Sequence, residues 1–332
     1  MHGVLNIYKS PGPTSHDVVN LIRKIAGVKR VGHAGTLDPF AEGVLIVAVG
    51  NATRLLEYAR NWPKTYHAEI TLGAVSNTDD KTGTITPTPP SSLRSDTSPS
   101  KGEEKFSPFS PLRRGSTRRM PGEGVVVPSE EEIRDVLNTF TGPQSQIPPA
   151  YSAIKVRGRK LYEYARAGDR VERPPRPVTI HSLEILEYAY PKLKIATEVS
   201  SGTYIRALGR DIGQLLGTGA YVSHLIRKVI HRFHIDTSVT IPDISRENLS
   251  TYLQPPTLLI SNLPHLTLSP KNVAKFRLGQ GIALDKPKPA ELTSGPVALF
   301  SKNERLAGIG FIDPASSLLR PQKVLHFPNA AN

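Results

Sequence analysis

The order of strand-like and helix-like segments is the feature that most restricts the fold of this chain. Strand patterns occur at residues 3–9, 44–49, 65–72, 178–188 and 193–200, the third with strict polar and apolar alternation. Amphipathic helix patterns occur from Ser15 to Ile25 and at 129–140, 205–216 and 218–227. These segments do not follow a regular strand–helix–strand rhythm, which disfavours a doubly wound parallel sheet. The sequence therefore predicts an α+β fold.

Two changes in composition predict how the chain is divided. Residues 86–124 are rich in Pro, Ser, Thr, Gly and charge, a composition too poor in apolar surface to form a core, which predicts a disordered insertion. A Pro-rich break runs from Gln254 to Pro264, and short apolar runs separated by Gly and Pro follow it. We expect a large domain over residues 1–255 and a small β-rich domain over 264–328.

Charge and cysteine content limit the function. The formal net charge of +13 favours a polyanionic partner, without choosing between RNA, DNA and an acidic membrane. No apolar run reaches the roughly 20 residues of a membrane span, and the N-terminus lacks a signal-peptide core, so a cytoplasmic protein is expected. The chain has no cysteine, which excludes thiolate nucleophiles and cysteine-ligated metals. Any catalysis must use carboxylates, hydroxyls, His, Lys or Tyr.

A glycine-punctuated loop, VGHAGTLDPFAEGV at residues 31–44, is the segment richest in chemistry. Asp38-Pro39 is a turn signal, so the Asp38 carboxylate fits a turn-capping role, and it fits equally a nucleophile or general base in a rigid loop. His33 has no second histidine at ligand spacing nearby, and no metal site is predicted. Its ring fits a contact with an unstacked base, or simple packing.

Two further segments offer partners for this loop. Lys64 and Tyr66 open an alternating strand, where Tyr66 either packs in the sheet or faces a ligand. In VSSGTYIRALGRDIG, a strand joins a helix at which Thr203 is the expected N-terminal cap. Arg206, in the first turn of that helix, fits an ion pair with a catalytic carboxylate or an ordinary surface salt bridge.

Five ordered blocks give the chain a resemblance to a known family. They are GVLNIYKSPGPTSHDVV (3–19), GHAGTLDPFAEGVLIVAVGNATR (32–54), KTYHAEITLGAVSNTDDKTG (64–83), QIPPAYSAIKVRGRKLYEYARAG (146–168) and VSSGTYIRALGRDIG (199–213). The chain resembles the bacterial TruB family of tRNA pseudouridine-55 synthases. The resemblance implies the pseudouridine synthase fold, with a mixed, largely antiparallel central sheet and flanking helices. GQGIAL (279–284) and LAGIGF (306–311) are similar to the PUA-like RNA-binding module appended to these enzymes.

The resemblance also implies roles for individual residues. Asp38 would be the catalytic aspartate, Arg206 its partner and Tyr66 the tyrosine that stacks on the target uracil. Around the base pocket and the RNA it would place Tyr204, Leu225, His33, Asp80 and Lys64. The basic residues Lys155, Arg157, Arg159 and Lys160 would belong to the element that clamps the T-loop arm of tRNA.

The activity implied is isomerisation of uridine 55 to pseudouridine, with an aspartate as covalent or general-base catalyst. It needs no metal or cofactor, because no electrons or groups are exchanged with a second substrate. The implied partner is tRNA through its T-arm, bound by a monomer without a protein partner. Two alternatives stay open: a guide-RNA-dependent box H/ACA-type subunit, and a non-catalytic RNA-binding or tRNA-folding protein. The basic segment at 151–168 disfavours the first, and the set Asp38, Tyr66, Tyr204 and Arg206 disfavours the second.

Overall fold

The computed structural model describes residues 1–88, 118–119, 126–283, 295–313 and 318–327. Most of the insertion predicted at 86–124 lies outside these ranges. In chain order the strands are β1 (Gly3–Lys9), β2 (Val31–His33), β3 (Glu42–Val49), β4 (Lys64–Leu72), β5 (Ala74–Ser76), β6 (Ile85–Pro87), β7 (Arg118–Arg119), β8 (Val126–Val127), β9 (Gly142–Gln146), β10 (Lys155–Val156), β11 (Arg159–Lys160), β12 (Arg176–Ala189), β13 (Lys192–Val199), β14 (Ala220–Ile230), β15 (Phe233–His234), β16 (Val239–Thr240), β17 (His265–Leu268), β18 (Ile282–Ala283), β19 (Gly295–Ser301), β20 (Leu306–Asp313) and β21 (Leu318–Val324). The α-helices are α1 (Ser15–Ala26), α2 (Leu56–Ala59), α3 (Glu130–Phe140), α4 (Leu161–Ala167), α5 (Ile205–Leu215), α6 (Leu249–Tyr252) and α7 (Pro270–Arg277).

A large mixed sheet organises the first part of the chain. Its strand order is β16-β1-β3-β14-β4-β13-β12-β9, with β2 added to β3 and β15 to β14. The pairs β1–β16 and β3–β14 are parallel, and the other pairs are antiparallel. The predicted α+β class with a largely antiparallel central sheet is confirmed.

Strand β3 is apolar along its length because both of its faces are covered. Val44, Ile46 and Ala48 point into one core, and Leu45, Val47 and Val49 into another. A continuous apolar run is what a strand buried on two sides requires. The second of these cores is closed by α1, whose predicted position is confirmed. Its cap is Thr14, which forms a capping box with Asp17.

The helix predicted at 218–227 is wrong, because these residues form most of strand β14. Two bulges in its pairing with β4 insert extra residues at Val222/His224 and Arg227/Val229. Buried positions consequently recur at 222, 225, 227 and 230, a spacing that imitates a helix. Helices α3 and α5 lie where they were predicted, and both pack in the core of β4, β13 and β14.

Helix α5 begins at Ile205 as predicted, but its cap differs from the prediction. Its N-terminal cap is Tyr204 and not Thr203, and the Tyr204 side chain forms no capping hydrogen bond. Instead the side chain of buried Gln146, on β9, accepts from the Tyr204 amide at 2.8 Å and donates to its carbonyl at 3.0 Å. The start of α5 is thereby fixed to the edge of the sheet.

The predicted β-rich C-terminal unit is a second sheet, in the order β17-β19-β20-β21-β18. It has a core of its own that includes Phe276, Leu299 and Leu319. A further core is shared with the large sheet and joins Trp62 to Ala298 and Leu325. The two sheets are therefore packed together through apolar side chains.

Candidate active site

The loop between β2 and β3 is held by side chains beneath it. The Ser15 hydroxyl donates to the Leu37 carbonyl at 3.0 Å and accepts from the Leu37 amide at 2.8 Å. Lys9 is fully buried, and its Nζ donates to the carbonyls of Pro39 at 3.2 Å and Ala41 at 2.7 Å. Asp38, between these anchored residues, has little backbone freedom.

Arg227, on β14, supports the same loop from the sheet. It is fully buried and donates to the carbonyls of Gly35 at 3.2 Å, Thr36 at 3.1 Å and Val44 at 2.8 Å. Sequence reasoning did not select Arg227 or Lys9 as site residues. One sequence feature could have indicated Arg227. It follows Leu225 by two residues, which places both side chains on the same face of a strand.

Gly43 allows this close arrangement of loop and sheet. Its φ is +108°, and a Cβ at this position would lie 2.3 Å from the Arg227 carbonyl oxygen. Residues other than glycine rarely adopt such a φ, and a Cβ atom cannot lie that close to a carbonyl oxygen. Glycine is therefore required where β3 begins beside β14.

Asp38 and Arg206 form a two-pronged ion pair. Arg206 Nε donates to Asp38 Oδ2 at 2.9 Å, and Arg206 Nη2 donates to Oδ1 at 3.1 Å. The Arg206 side chain is 4% exposed, whereas that of Asp38 is 31% exposed. Arg206 also donates to the carbonyls of Thr78 at 2.9 Å and Tyr151 at 3.0 Å. The buried arginine thus presents an accessible carboxylate in a fixed orientation.

Asp80, expected beside the RNA, lies behind Arg206 instead. It is buried, and its Oδ2 is 3.3 Å from Arg206 Nη1. Its Oδ1 accepts from the hydroxyl of Thr78 at 2.8 Å and the amide of Thr82 at 2.9 Å. These contacts occupy both oxygens of the Asp80 carboxylate, and Asp80 does not line the pocket described next. Asp80 therefore acts by holding Arg206 in position.

A pocket of about 540 Å³ opens above the ion pair. Seven of the residues singled out in the sequence line it together: Asp38, Arg206, Tyr66, His33, Tyr204, Leu225 and Lys64. Arg227 and Arg60 also line it. Six of the seven come from three of the five sequence blocks and Leu225 lies outside them, so residues distant in sequence meet at one cavity.

The apolar walls of the pocket come from adjacent strands. Tyr66 on β4 is 7% exposed and Leu225 on β14 is 3% exposed. Both are also members of the core between sheet and helices. Such walls exclude water from the space next to Asp38 while leaving room for a planar ring.

Burial changes the acid–base properties of the polar groups in the walls. Burial, and then the charge of Arg227, lowers the pKa of His33, whose Nδ1 has no hydrogen-bond partner among the described residues. Burial raises the pKa of the Tyr204 phenol. Burial also lowers the pKa of Lys64 to about 8, with a further contribution from Arg227. The Lys64 ammonium donates to the carbonyl of Trp62 at 2.9 Å.

The basic residues predicted to clamp RNA lie outside the pocket, on a small hairpin followed by α4. Strands β10 and β11 pair Lys155 with Lys160, and the turn between them contains Arg157 and Gly158, both with positive φ. Lys155 and Arg157 are exposed, and their side chains form no hydrogen bond or ion pair within the described ranges. Lys160 lies 3.2 Å from the Tyr162 hydroxyl, to which it donates.

Arg159 differs from its neighbours on this hairpin because it is engaged within the protein. It donates to Asp169 at 2.9 Å and to the Glu163 carbonyl at 2.9 Å, and its guanidinium lies 4.6 Å from the centre of the Tyr164 ring. It holds the hairpin against α4 rather than pointing freely outward.

The hairpin is connected to the ion pair through the chain that precedes it. The Tyr162 amide donates to the Ser152 carbonyl at 3.1 Å, and the Leu161 amide to the Ile154 carbonyl at 2.8 Å. The adjacent Tyr151 carbonyl receives the hydrogen bond from Arg206. The basic hairpin and the Asp38 partner therefore share one short segment.

Neither a metal cluster nor a membrane helix is found in the described parts of the chain. No group of three or more His, Asp or Glu side chains is placed to hold a metal ion there. No helix in these residues is long and apolar enough to cross a membrane.

Two family models match the chain on either side of the Pro-rich break. The TruB family pseudouridylate synthase N-terminal domain matches residues 23–107 and 115–205, and the pseudouridine synthase II TruB C-terminal model matches residues 264–325. The chain belongs to the TruB family.

Relatives within this family match it over nearly their whole length. The tRNA pseudouridine synthase B of Bacillus subtilis is 37% identical over 98% of both chains. That of Dehalococcoides mccartyi strain 195 is 36% identical over 97% of this chain and 98% of its own.

Solved structures of proteins with other names match the fold of this chain. The archaeal box H/ACA sRNP Nop10-Cbf5 complex matches with a TM-score of 0.64 at 24% identity, covering 97% of this chain and 85% of that one. A Cbf5-Nop10-Gar1 complex matches with a TM-score of 0.64 at 25% identity, covering 97% and 84%. This TruB chain therefore shares its pseudouridine synthase fold with proteins of different sequence.

Proposed function

We propose that this chain isomerises uridine 55 in the T loop of tRNA to pseudouridine, with Asp38 as the catalyst. The observation that carries the proposal is the Asp38 carboxylate, ion-paired with buried Arg206 at the wall of a pocket large enough for a flipped nucleotide. The names of the TruB relatives, tRNA pseudouridine synthase B, support the reaction and the substrate class.

Asp38 acts on the ribose or base of the flipped uridine. Its carboxylate either forms a covalent bond to the substrate or takes the 2′ proton of the ribose, so that the bond between C1′ and N1 breaks. The uracil then turns, and C5 forms a bond to C1′ as Asp38 either leaves C1′ or returns the proton to C2′. The proton on C5 is lost and N1 takes up a proton, so the atoms of substrate and product balance. Arg206 orients the carboxylate throughout, and Asp80 orients Arg206 from behind.

The remaining pocket residues hold the base. Tyr66 stacks on the uracil ring, which offsets the few kcal/mol that unstacking costs. Leu225 and Tyr204 form the other walls. His33, at the loop edge, fills the space that the flipped nucleotide leaves in the RNA.

Recognition of the T-arm is assigned to the basic hairpin and the C-terminal domain. Lys155 and Arg157 are exposed cations suited to phosphate contacts, and Lys160 and Arg159 support them. We assign catalysis to a domain of residues 1–255 and RNA binding by a PUA-like domain to 264–328. The separate core around Phe276 supports this division.

The isomerisation exchanges no electrons or groups with a second substrate, so the proposal includes no cofactor and no catalytic metal. It also places the chain in the cytoplasm as a monomer that acts without a protein partner or guide RNA. The basic hairpin supports direct binding of tRNA, since its cations Lys155 and Arg157 are exposed.

The test is to map pseudouridine in unmodified tRNA after incubation with the purified chain and with Asp38→Asn. We expect pseudouridine at position 55 with the wild-type chain alone, without added protein, RNA or metal. Modification that requires a guide RNA, or equal modification by Asp38→Asn, contradicts the proposal.

A further inference from the structure

The pocket has an excess of positive charge. Among its described lining residues, Asp38 is the one carboxylate, while Arg60, Lys64, Arg206 and Arg227 carry positive charge. Arg206 is already balanced by Asp38 and, from behind, by Asp80. Burial of a cation without a carboxylate partner carries a desolvation cost, and an anion that enters the pocket later reduces that cost.

Lys64 and Arg227 are buried cations of this kind. Lys64 is 7% exposed and Arg227 is fully buried. Within the described ranges their partners are neutral oxygens: Lys64 Nζ donates to the carbonyls of Trp62 at 2.9 Å and Arg60 at 3.4 Å, and Arg227 donates to three main-chain carbonyls. These two side chains therefore add uncompensated charge to the wall that contains Tyr66.

The proposed reaction moves a negative charge within this pocket. When the C1′–N1 bond breaks, its electron pair leaves with N1, and the uracil becomes an anion delocalised over N1, O2 and O4. At the same time the Asp38 carboxylate becomes neutral, either as an ester to C1′ or as an acid that holds the 2′ proton. The charge returns to Asp38 when C5 forms its bond to C1′. The total charge is constant, but for part of the cycle the anion is the base.

Lys64 is better suited than Arg227 to meet that anion. The Arg227 guanidinium is tied to the loop carbonyls, whereas the Lys64 ammonium has three hydrogens and two carbonyl partners. The pKa of Lys64, lowered to about 8 by burial and then by Arg227, shows that its charge is disfavoured before an anion is present. A nearby anion relieves this penalty, so the interaction strengthens as the bond breaks.

We infer that Lys64 is a catalytic cation, whose ammonium stabilises the negative charge on the detached uracil. The inference rests on the proposed function, since it requires that the chain breaks a uridine glycosidic bond. It differs from a phosphate contact, which would stabilise bound RNA and transition state equally and leave kcat unchanged.

Matched substitutions of two lysines separate these roles. Lys64→Met removes the wall charge with little change of shape, and Lys155→Met removes an exposed charge on the hairpin. For Lys64→Met we expect kcat for pseudouridine formation to fall by about 100-fold, with the Kd for tRNA unchanged. For Lys155→Met we expect the reverse: weaker binding with kcat retained at saturating tRNA. The thermal midpoint of Lys64→Met should change little, because removal of a poorly solvated charge offsets the loss of the hydrogen bond to the Trp62 carbonyl.

The absence of cysteine from the chain permits a chemical test of charge alone. Lys64→Cys is alkylated in the unfolded state and refolded, with 2-bromoethylamine to restore an ammonium or with 1-bromopropane to give a neutral side chain of similar shape. The aminoethylated protein should recover most of the lost kcat, and the propylated protein should not. Circular dichroism checks that both have refolded.

Other outcomes reject the inference. Equal recovery by the propylated protein shows that Lys64 acts by shape, and a loss confined to Kd in Lys64→Met assigns it to RNA binding. A fall of kcat together with the thermal midpoint in Lys64→Met, not restored by aminoethylation, indicates a structural role. Wild-type protein is assayed first on the same tRNA. If it forms no pseudouridine, the proposed function itself fails, and this is seen before any variant is compared.

Discussion

The loop that carries Asp38 and the basic hairpin use the same kinds of residue in opposite ways. Beneath the loop, Lys9 on β1 and Arg227 on β14 are fully buried and donate to its main-chain carbonyls. On the hairpin, Lys155 and Arg157 are exposed to solvent. A buried cation fixes the backbone beside it, whereas an exposed cation is free to meet a phosphate. The comparison indicates that residue type alone does not assign a role, and that burial does.

The largest effect is expected at the centre of the supported loop. Asp38→Asn keeps the shape of the side chain but removes its charge and basicity. We expect kcat for pseudouridine formation to fall by at least about 10⁴-fold, with tRNA affinity changed little. Single-turnover assays and filter binding measure the two quantities. Substantial residual turnover would refute the assignment of Asp38.

The next effect tests how tightly the loop is supported. Gly43→Ala places a Cβ against the Arg227 carbonyl at a φ of +108°, so both contact and backbone are strained. We expect a loss of about 3 kcal/mol or more in the free energy of unfolding. Urea denaturation measures it. A stability equal to that of the wild type would show that Gly43 and β14 can move apart at little cost in free energy.

A smaller effect separates two arginines of the hairpin. Arg157 is exposed, whereas Arg159 is bound to Asp169. Arg157→Gln should reduce the slope of log affinity against log salt by about 0.7 to 0.9, the share of one phosphate contact. Arg159→Gln should change that slope less and lower the thermal midpoint slightly. Equal slopes for the wild type and a variant that carries both Arg157→Gln and Arg159→Gln would reject this account of recognition. The same measurements with an isolated T-arm hairpin test whether that arm is sufficient.

The smallest effect is the counterpart of Gly43→Ala on the hairpin. Gly158 also has a positive φ, +83°, but a Cβ there would meet no atom within 4 Å. Gly158→Ala should therefore cost only about 1 to 2 kcal/mol of backbone strain, with kcat retained at saturating tRNA. A cost as large as that of Gly43→Ala would remove the contrast between the two regions.

Much of the fold was predictable from local patterns. Strand β4 shows clear alternation, and α1 shows a helical stripe next to a capping sequence. Strand β14 was misread because its bulges depend on how it pairs with β4, which no local pattern records. The cap of α5 was assigned to Thr203 rather than Tyr204 because Gln146, distant in sequence, binds the Tyr204 backbone.

The candidate site was predictable where sequence blocks carry it and not where support comes from burial. Asp38, Tyr66, Tyr204 and Arg206 stand in recognisable segments, and the structure brings them to one pocket. Lys9 and Arg227 were not selected, because lysine and arginine side chains usually lie on exposed faces. Their burial is evident only when the loop carbonyls that they satisfy are placed above them. Asp80 was expected beside the RNA because the residues near it in sequence do not indicate that it contacts Arg206 in the folded chain.

The core shared by the two sheets has a consequence for the order of events during synthesis. Trp62 lies in the same core as Ala298 and Leu325, and its carbonyl accepts a hydrogen bond from the Lys64 ammonium in the pocket wall. A growing chain emerges from the ribosome from its N-terminus, and early segments fold before late ones are made. The region around Asp38 is translated early, yet the packing behind this wall waits for residues translated long afterwards. The newly made protein should therefore gain its full activity only after the last strand of the second sheet has been released.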